Sequence, residues 1–111
     1  MSMKIFVTLA VGLLVPSAMS LKAADAKENW TKYCAQCHGA DGTANTPMGK
    51  KLNAKNLTDS KVQAGFTDAK ATTSIKEGVK ENGKVTMKAF GDKLSDDEVK
   101  ALVAYVRSLK K

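Results

Sequence analysis

The chain has 111 residues, enough for one domain and too few for a second of ordinary size. Only 5% of the residues are aromatic, so side chains alone give a thin core, and domains this small usually recruit a disulfide, a metal or a partner. The net charge of +7 is compatible with nucleic acid, an anionic membrane or an acidic protein as partner, or with a lysine-rich surface that only confers solubility.

The first residues, MSMKIFVTLAVGLLVPSAMSLKA, have the layout of a secretory signal peptide. Lys4 precedes an apolar run of 11 residues, which is too short to cross a bilayer core of about 30 Å as a helix. We expect a signal peptide at 1–20, with cleavage after Ser20 or as late as residue 23, and a mature domain at 24–111. An exported protein rarely meets nucleic acid, so the charge favours an acidic protein partner.

Helical signals dominate the mature chain, and no segment alternates convincingly enough to predict a sheet. Asp25 and Glu28 indicate a helix start, and the side chains that follow at helical spacing share one face: Ala26, Trp30, Tyr33 and Cys37. Residues 39–57 are rich in Gly, Asn, Thr and Pro and predict a long irregular loop. Short helices are predicted at 59–64 and at 68–77, the second ending at Gly78, and residues 79–93 again predict irregular structure.

The segment LSDDEVKALVAYVRSLKK gives the clearest helix signal of the chain. Ser95 and Glu98 form a capping-box pattern, and Asp96 and Asp97 lie at the positive end of the helix dipole. Apolar residues then recur at helical spacing: Val99, Leu102, Val103, Val106 and Leu109. The pattern predicts an amphipathic helix that lays one apolar face on the core.

The two cysteines and the single histidine of the mature chain lie within five residues, in the order Cys34, Cys37, His38. A structural zinc site needs a fourth ligand, and a thioredoxin-like redox pair needs a βαβ framework that the sequence does not predict. A plain disulfide is compatible with export, but it leaves the histidine unexplained. The pattern Cys-x-x-Cys-His matches covalent haem attachment, in which two thiols bind the vinyl groups and the imidazole binds the iron.

The motifs WTKYCAQCHGADG and TMKAFGDKLSDDEVKALVAYVRSLKK together resemble the class I c-type cytochromes, particularly small monohaem bacterial ones, over residues 24–111. The resemblance implies an all-α cytochrome c fold, with four to five short helices wrapped around one covalently bound haem c. It also implies that the first and last helices pack across each other, with contacts from Ala26, Trp30 and Tyr105.

The same resemblance assigns the second axial iron ligand and the surroundings of the haem. Met87 stands in MKAF, which is similar to the family's MPAF, and is favoured over Met48; Lys88 departs from the family's proline and leaves the loop less rigid. Pro47 is the candidate whose carbonyl accepts the imidazole N–H. Apolar residues expected to line the pocket are Leu52, Leu57, Val62, Phe66, Ile75, Val79, Val85, Phe90 and Leu94.

An iron ligated on both sides by His38 and Met87 has no position free for a substrate, so the sequence predicts a soluble electron carrier rather than an enzyme. Two alternatives stay open: a haem enzyme or gas sensor with five-coordinate iron, and a disulfide-bonded interaction module without haem. We expect an exported monomer without a membrane span in the mature chain, with the bacterial periplasm favoured over a thylakoid-like lumen as its location. Its redox partners would dock through an acidic face onto the lysines near the exposed haem edge: Lys50, Lys51, Lys55, Lys84 and Lys88.

Overall fold

The first helix, α1, occupies residues 25–38 of the computed structural model, which describes residue 12 and residues 25–111. The predicted signal peptide therefore lies outside the described residues, apart from residue 12. Within α1, Trp30–Cys34 form a π-helical segment, in which the N–H of Ala35 bonds to the carbonyl of Trp30. This π-helical turn contains about one residue more than a turn of α-helix. As a result Cys34, and not the predicted Tyr33 and Cys37, continues the buried face begun by Ala26 and Trp30.

Three short helices follow, and the first of them lies inside the predicted loop. Helix α2, Pro47–Lys51, begins after Thr46, whose hydroxyl accepts the N–H of Gly49, so the prediction of irregular structure throughout 39–57 is wrong. Helices α3, Ser60–Ala64, and α4, Asp68–Glu77, confirm the helices predicted at 59–64 and 68–77. Gly78 ends α4 with a φ of +77°, which favours glycine.

An antiparallel hairpin was not expected from the sequence. Strands β1, Val79–Glu81, and β2, Lys84–Met87, are joined by Asn82 and Gly83, which have φ angles of +52° and +79°. Two consecutive positive φ angles are what a two-residue type I′ turn requires, and Asn-Gly is its preferred sequence. The all-α prediction is therefore corrected to a mostly helical fold with one small two-stranded sheet.

The last helix, α5, spans Asp96–Ser108 and confirms the sequence prediction. Its core-facing side chains are buried, and Val99 and Leu102 are each only 1% exposed. They belong to a continuous buried group that we call the central cluster: Trp30, Cys34, Ile75, Leu94, Val99, Leu102, Val103 and Val106. Among the described residues, no helix is long and apolar enough to cross a membrane.

Helices α1 and α5 pack against each other, as the family resemblance implied. The rings of Trp30 and Tyr105 lie 5.3 Å apart between their centroids, and the side-chain amide of Asn29 donates to Glu98 Oε2 at 3.0 Å. The small side chain of Ala26, 2% exposed, permits this approach. The beginning and the end of the described chain are thus joined through a single core.

The capping box of α5 gives a stability prediction. Ser95 Oγ accepts the N–H of Glu98 at 3.1 Å, and Glu98 Oε1 accepts the N–H of Ser95 at 2.9 Å. We expect S95A to lower the free energy of unfolding by about 1 kcal/mol, because it leaves one N–H of the first turn without its side-chain acceptor. Urea unfolding followed by circular dichroism measures the loss. S95T keeps the hydroxyl and should retain most of the stability, and equal losses in the two variants would contradict the prediction.

Candidate functional site

Cys34, Cys37 and His38 lie together at the C-terminal end of α1. Cys34 is 7% exposed and belongs to the central cluster, whereas Cys37 and His38 are half-buried. Both cysteines are free thiols. Burial raises the pKa of the Cys34 thiol to about 11, and the neighbouring Cys37 acts in the same direction. Cys34 is therefore an uncharged thiol in apolar surroundings at neutral pH.

The imidazole of His38 lies beside the buried ring of Trp30, with 5.6 Å between the two ring centroids. Burial lowers its pKa, which favours the neutral imidazole, the form that can coordinate a metal. Its Nδ1 is buried and has no hydrogen-bond partner. The hydrogen bond expected from this ring to the carbonyl of Pro47 is not formed in the structure, and Pro47 itself is exposed.

The three residues fit a haem on their chemistry and surroundings. A buried imidazole nitrogen without a partner is unusual in a folded protein and is explained where the ring has a further function. Two thiols one helical turn apart, one of them against an apolar cluster, match the donor set that covalent haem attachment requires.

The backbone that carries the motif is fixed by groups outside its own helix turn. The carbonyl of Cys37 accepts the hydroxyl of Thr46 at 2.7 Å, and that of His38 accepts the N–H of Ala44 at 2.7 Å. The carbonyl of Gly39 accepts Trp30 Nε1 at 3.0 Å in a buried hydrogen bond. Three successive carbonyls at the end of α1 are thereby satisfied, and these hydrogen bonds hold the turn that carries the cysteines and the histidine.

Helix α2 approaches this turn backbone against backbone. A Cβ built on Gly49 would lie 2.6 Å from the carbonyl oxygen of Ala44 and closer still to that of Cys37, so only glycine fits. Sequence analysis missed Thr46, Ala44 and Gly49 as supports of the motif. The signal for Thr46 was present, since Thr before Pro is typical of a helix N-cap followed by N1.

Met87 lies at the end of β2, half-buried, and packs against the central cluster that contains Cys34. The segment around it is anchored on both sides. Gly78 lies against the Met87 carbonyl, since a Cβ there would come within 2.6 Å of it, and the N–H of Phe90 bonds to the carbonyl of Ile75 at 2.8 Å. The other candidate, Met48, is half-buried on α2 and is not among the described side chains that pack against the central cluster.

Some of the predicted pocket-lining residues belong to the central cluster or pack against it, and the others do not. Leu57, Phe66 and Phe90 are partly buried against the central cluster, and the Phe90 ring lies 5.6 Å from that of Tyr33, the residue before the first cysteine. Leu52 is half-buried but is not among the described side chains that pack there. Of the remaining predicted residues, Ile75 and Leu94 are in the cluster, Val62 and Val79 are half-buried, and Val85 is 55% exposed.

Sequence analysis also missed a polar network beside this pocket wall. Gln63 is 4% exposed, and its side-chain amide donates to the carbonyls of Leu57 and Val106 at 2.6 and 2.9 Å. Arg107 donates to the Gln63–Asp68 segment. The spacing of these residues does not predict the network, because Arg107 and its partners are about 40 residues apart in the chain.

A mostly helical domain with packed terminal helices and a Cys-x-x-Cys-His turn at its core defines a class I c-type cytochrome. Comparison with known proteins supports the same class. A family model described as "Cytochrome C oxidase, cbb3-type, subunit III" matches residues 21–106, and the chain belongs to this family of c-type cytochromes.

Relatives cover the chain to different extents. Cytochrome c-553 of Helicobacter pylori is 32% identical over 104 residues, which are 94% of this chain and 97% of that protein. Cytochrome c6 of Bryopsis maxima is 32% identical over 77 residues, 69% of this chain and 80% of that protein. The cbb3-type cytochrome c oxidase subunit FixP of Azorhizobium caulinodans is 38% identical over 82 residues, but the match spans only 25% of its length.

Among solved structures, the KustC0563 c-type cytochrome superposes with a TM-score of 0.70 at 38% identity, covering 78% of this chain and 99% of that one. The cofactor of this family is covalently attached haem c, and the single Cys-x-x-Cys-His motif provides for one haem. The prediction of one haem c is thereby confirmed.

Proposed function

We propose that this protein is a soluble electron carrier, a monohaem c-type cytochrome that passes electrons between redox partner proteins. The observation that carries the proposal is the placement of the Cys34 thiol and the Met87 thioether against the same central cluster, with His38 on the turn that follows the cysteines. When bound, the haem supplies an iron that changes between Fe(II) and Fe(III).

In this proposal Cys34 and Cys37 hold the haem through thioether bonds. His38 and Met87 would bind its iron. Burial lowers the pKa of the imidazole and so favours its neutral form, and the hydrogen bonds to the carbonyls of residues 37–39 would limit its movement when the iron changes redox state. A ligand pair that does not rearrange suits electron transfer, and the Met/His pair raises the reduction potential.

The walls of the site would come from the apolar residues that pack on the central cluster: Leu57, Phe66 and Phe90, with Leu52 beside them. Exclusion of water by these side chains stabilises the less charged ferrous form. Pro47 keeps its proposed role as acceptor for the imidazole N–H. The buried Nδ1 of His38, which has no partner in the structure, is the atom that would make this hydrogen bond.

We propose a carrier rather than an oxidase, although one relative is named as an oxidase subunit. The chain corresponds to a quarter of that relative's length, and to nearly all of the cytochrome c-553. With its one histidine assigned to the iron, the chain has no second imidazole for acid–base chemistry or for another metal. The monomeric state, the signal peptide at 1–20, the cytochrome domain at 24–111 and a periplasmic location belong to the same proposal.

The haem attachment is tested by exporting the protein from a host that matures c-type cytochromes. We expect a red protein whose denatured mass exceeds that of the polypeptide by one haem, and C34S/C37S should lose that added mass completely. Native ferrous protein should be slow to bind carbon monoxide, because both axial positions are filled. A colourless product with free or mutually bonded cysteines would contradict the proposal, and rapid carbon monoxide binding would favour the five-coordinate alternative.

Docking to an acidic partner predicts a rate that depends on salt. The five lysines assigned to the docking surface are all exposed in the structure: Lys50, Lys51, Lys55, Lys84 and Lys88. Between about 0.01 and 0.15 M ionic strength the Debye length falls from about 30 to about 8 Å, and we expect electron transfer with an acidic redox protein to slow by about tenfold. Stopped-flow absorbance measures this rate.

Two double variants of equal charge serve as a matched pair for the docking surface. K84Q/K88Q should reduce both the rate and its salt dependence, whereas K61Q/K70Q removes the same charge from α3 and α4 and should change the rate less. If both double variants change the rate equally, or if the rate does not change with salt, the five lysines do not form a docking surface and serve only solubility.

A further inference from the structure

Arg107, the only arginine of the chain, makes four hydrogen bonds to one short segment. Its Nη1 donates to the carbonyl and to Oε1 of Gln63 at 2.6 and 3.0 Å, and its Nη2 donates to the carbonyl of Phe66 at 2.8 Å. Its Nε donates to Asp68 Oδ1 at 2.7 Å. These contacts attach the turn between α3 and α4 to the last turns of α5.

The same guanidinium lies over the face of Phe66, with Cζ 4.3 Å from the ring centroid. Phe66 in turn packs against the central cluster that contains Cys34. The ring therefore separates a fixed cation from the apolar interior. Only one third of the Arg107 side chain is exposed, so solvent screens this charge less than it screens the surface lysines.

The geometry suits arginine and no other cation. A planar fork can donate in three directions while its face stacks on an aromatic ring, whereas a lysine ammonium is a point charge on a flexible stem. A buried hydrogen bond also joins the same two segments. The side-chain amide of Gln63 donates to the carbonyl of Val106, the residue before Arg107, at 2.9 Å. Gln63 is thus held in place independently of the arginine.

We propose that Arg107 is a positioning residue for the redox centre: it fixes Phe66 in the pocket wall and places a permanent positive charge behind that ring, which raises the reduction potential. The inference rests on the proposed electron-carrier function. A nearby cation stabilises the form of the centre that carries the additional electron, and its effect is large where apolar groups exclude water.

The test compares R107Q with R107K and with K70Q, which removes one exposed charge from the neighbouring helix α4 without touching the network. We expect R107Q to shift electron exchange with a fixed mediator about threefold toward the oxidised protein. At 59 mV per tenfold for one electron, this is a fall in potential of about 28 mV. R107K keeps the charge but not the fork, so its potential should lie between those of R107Q and the unchanged protein.

Amide hydrogen exchange supplies a readout that does not depend on the redox centre. In both Arg107 variants the amides of residues 63–68 should exchange at least about tenfold faster, because the segment has lost its attachment to α5, while K70Q should leave them protected. If R107Q fails to fold, R107K alone decides between the outcomes.

Two results would overturn the inference: a potential in R107Q that equals that of the unchanged protein, or one that falls no further than in K70Q. Unchanged exchange at 63–68 in R107K, together with an unchanged potential, would overturn it as well. Failure of the proposed function is a distinct outcome. In that case the unchanged protein carries no covalent haem and has no potential to measure, while hydrogen exchange still reports whether Arg107 holds the segment.

Discussion

M87A is expected to lower the reduction potential by on the order of 0.1–0.3 V, the largest functional effect of any single substitution considered for this chain. In the proposed ligation the Met87 thioether would stabilise the ferrous iron, and alanine offers no donor in its place. The variant should keep its covalent haem, since Cys34 and Cys37 are untouched, and its ferrous form should bind carbon monoxide rapidly. Potentiometric titration and absorbance spectra in both redox states measure these changes.

The matched control for M87A is M48A, which removes the other methionine of residues 24–111. Met48 lies on α2, whereas Met87 packs on the central cluster. M48A should therefore leave the potential within about 0.03 V of the unchanged protein, well inside the range over which axial ligands act. If M48A lowers the potential strongly and M87A leaves it nearly unchanged, the assignment of the methionine ligand is wrong and α2 supplies the ligand.

W30A is expected to cost about 3–5 kcal/mol of the free energy of unfolding, the largest stability effect we predict. Trp30 is 2% exposed, stacks near Tyr105 of α5, and donates from Nε1 to the carbonyl of Gly39. Alanine removes the ring contact with Tyr105, which is one of the contacts between the first and last helices. It also removes one of the two donors to the Gly39 carbonyl, which keeps the N–H of Gly42 at 3.2 Å. Since small domains have total stabilities of about 5–15 kcal/mol, this loss would be a large fraction of the whole.

W30F separates the two contributions of Trp30. Phenylalanine keeps most of the ring contact but cannot donate to the Gly39 carbonyl, which keeps the N–H of Gly42. W30F should therefore lose about 0.5–1.5 kcal/mol, the net contribution of one hydrogen bond. Guanidinium denaturation followed by circular dichroism gives both values. A loss below about 1 kcal/mol in W30A would mean that α1 and α5 are held together mainly by other contacts.

The hairpin shows why part of the fold was not predicted from alternation of side chains. Strands of three and four residues are too short to present a period of two, and of β2 only Thr86 and Met87 are half-buried. The local signal was the turn itself, Asn82-Gly83, whose positive φ angles set the pairing. This turn gives Met87 a strand-end position beside Gly78 in place of the irregular loop that was expected.

The register of α1 could not be predicted from helical spacing, because the spacing assumed a regular helix. The π-helical turn at Trp30–Cys34 moves Cys34 onto the buried face and leaves Tyr33 and Cys37 half-buried. The Arg107 network was hidden for a different reason. Its hydrogen bonds join residues about 40 positions apart, and only the packing of α3 and α4 against α5 brings them within reach.

The sequence by itself determined the features that depend on neighbours in the chain: the capping box and apolar stripe of α5, the helix that ends at Gly78, and the turn that carries Cys34, Cys37 and His38. These are set by local hydrogen bonds and by a period of 3.6 residues. Long-range packing was needed to show which methionine lies against the cluster that contains Cys34, which groups bind the carbonyls that hold the motif, and which cation lies behind Phe66. Those contacts form between distant segments, whose meeting is decided by burial of the common core.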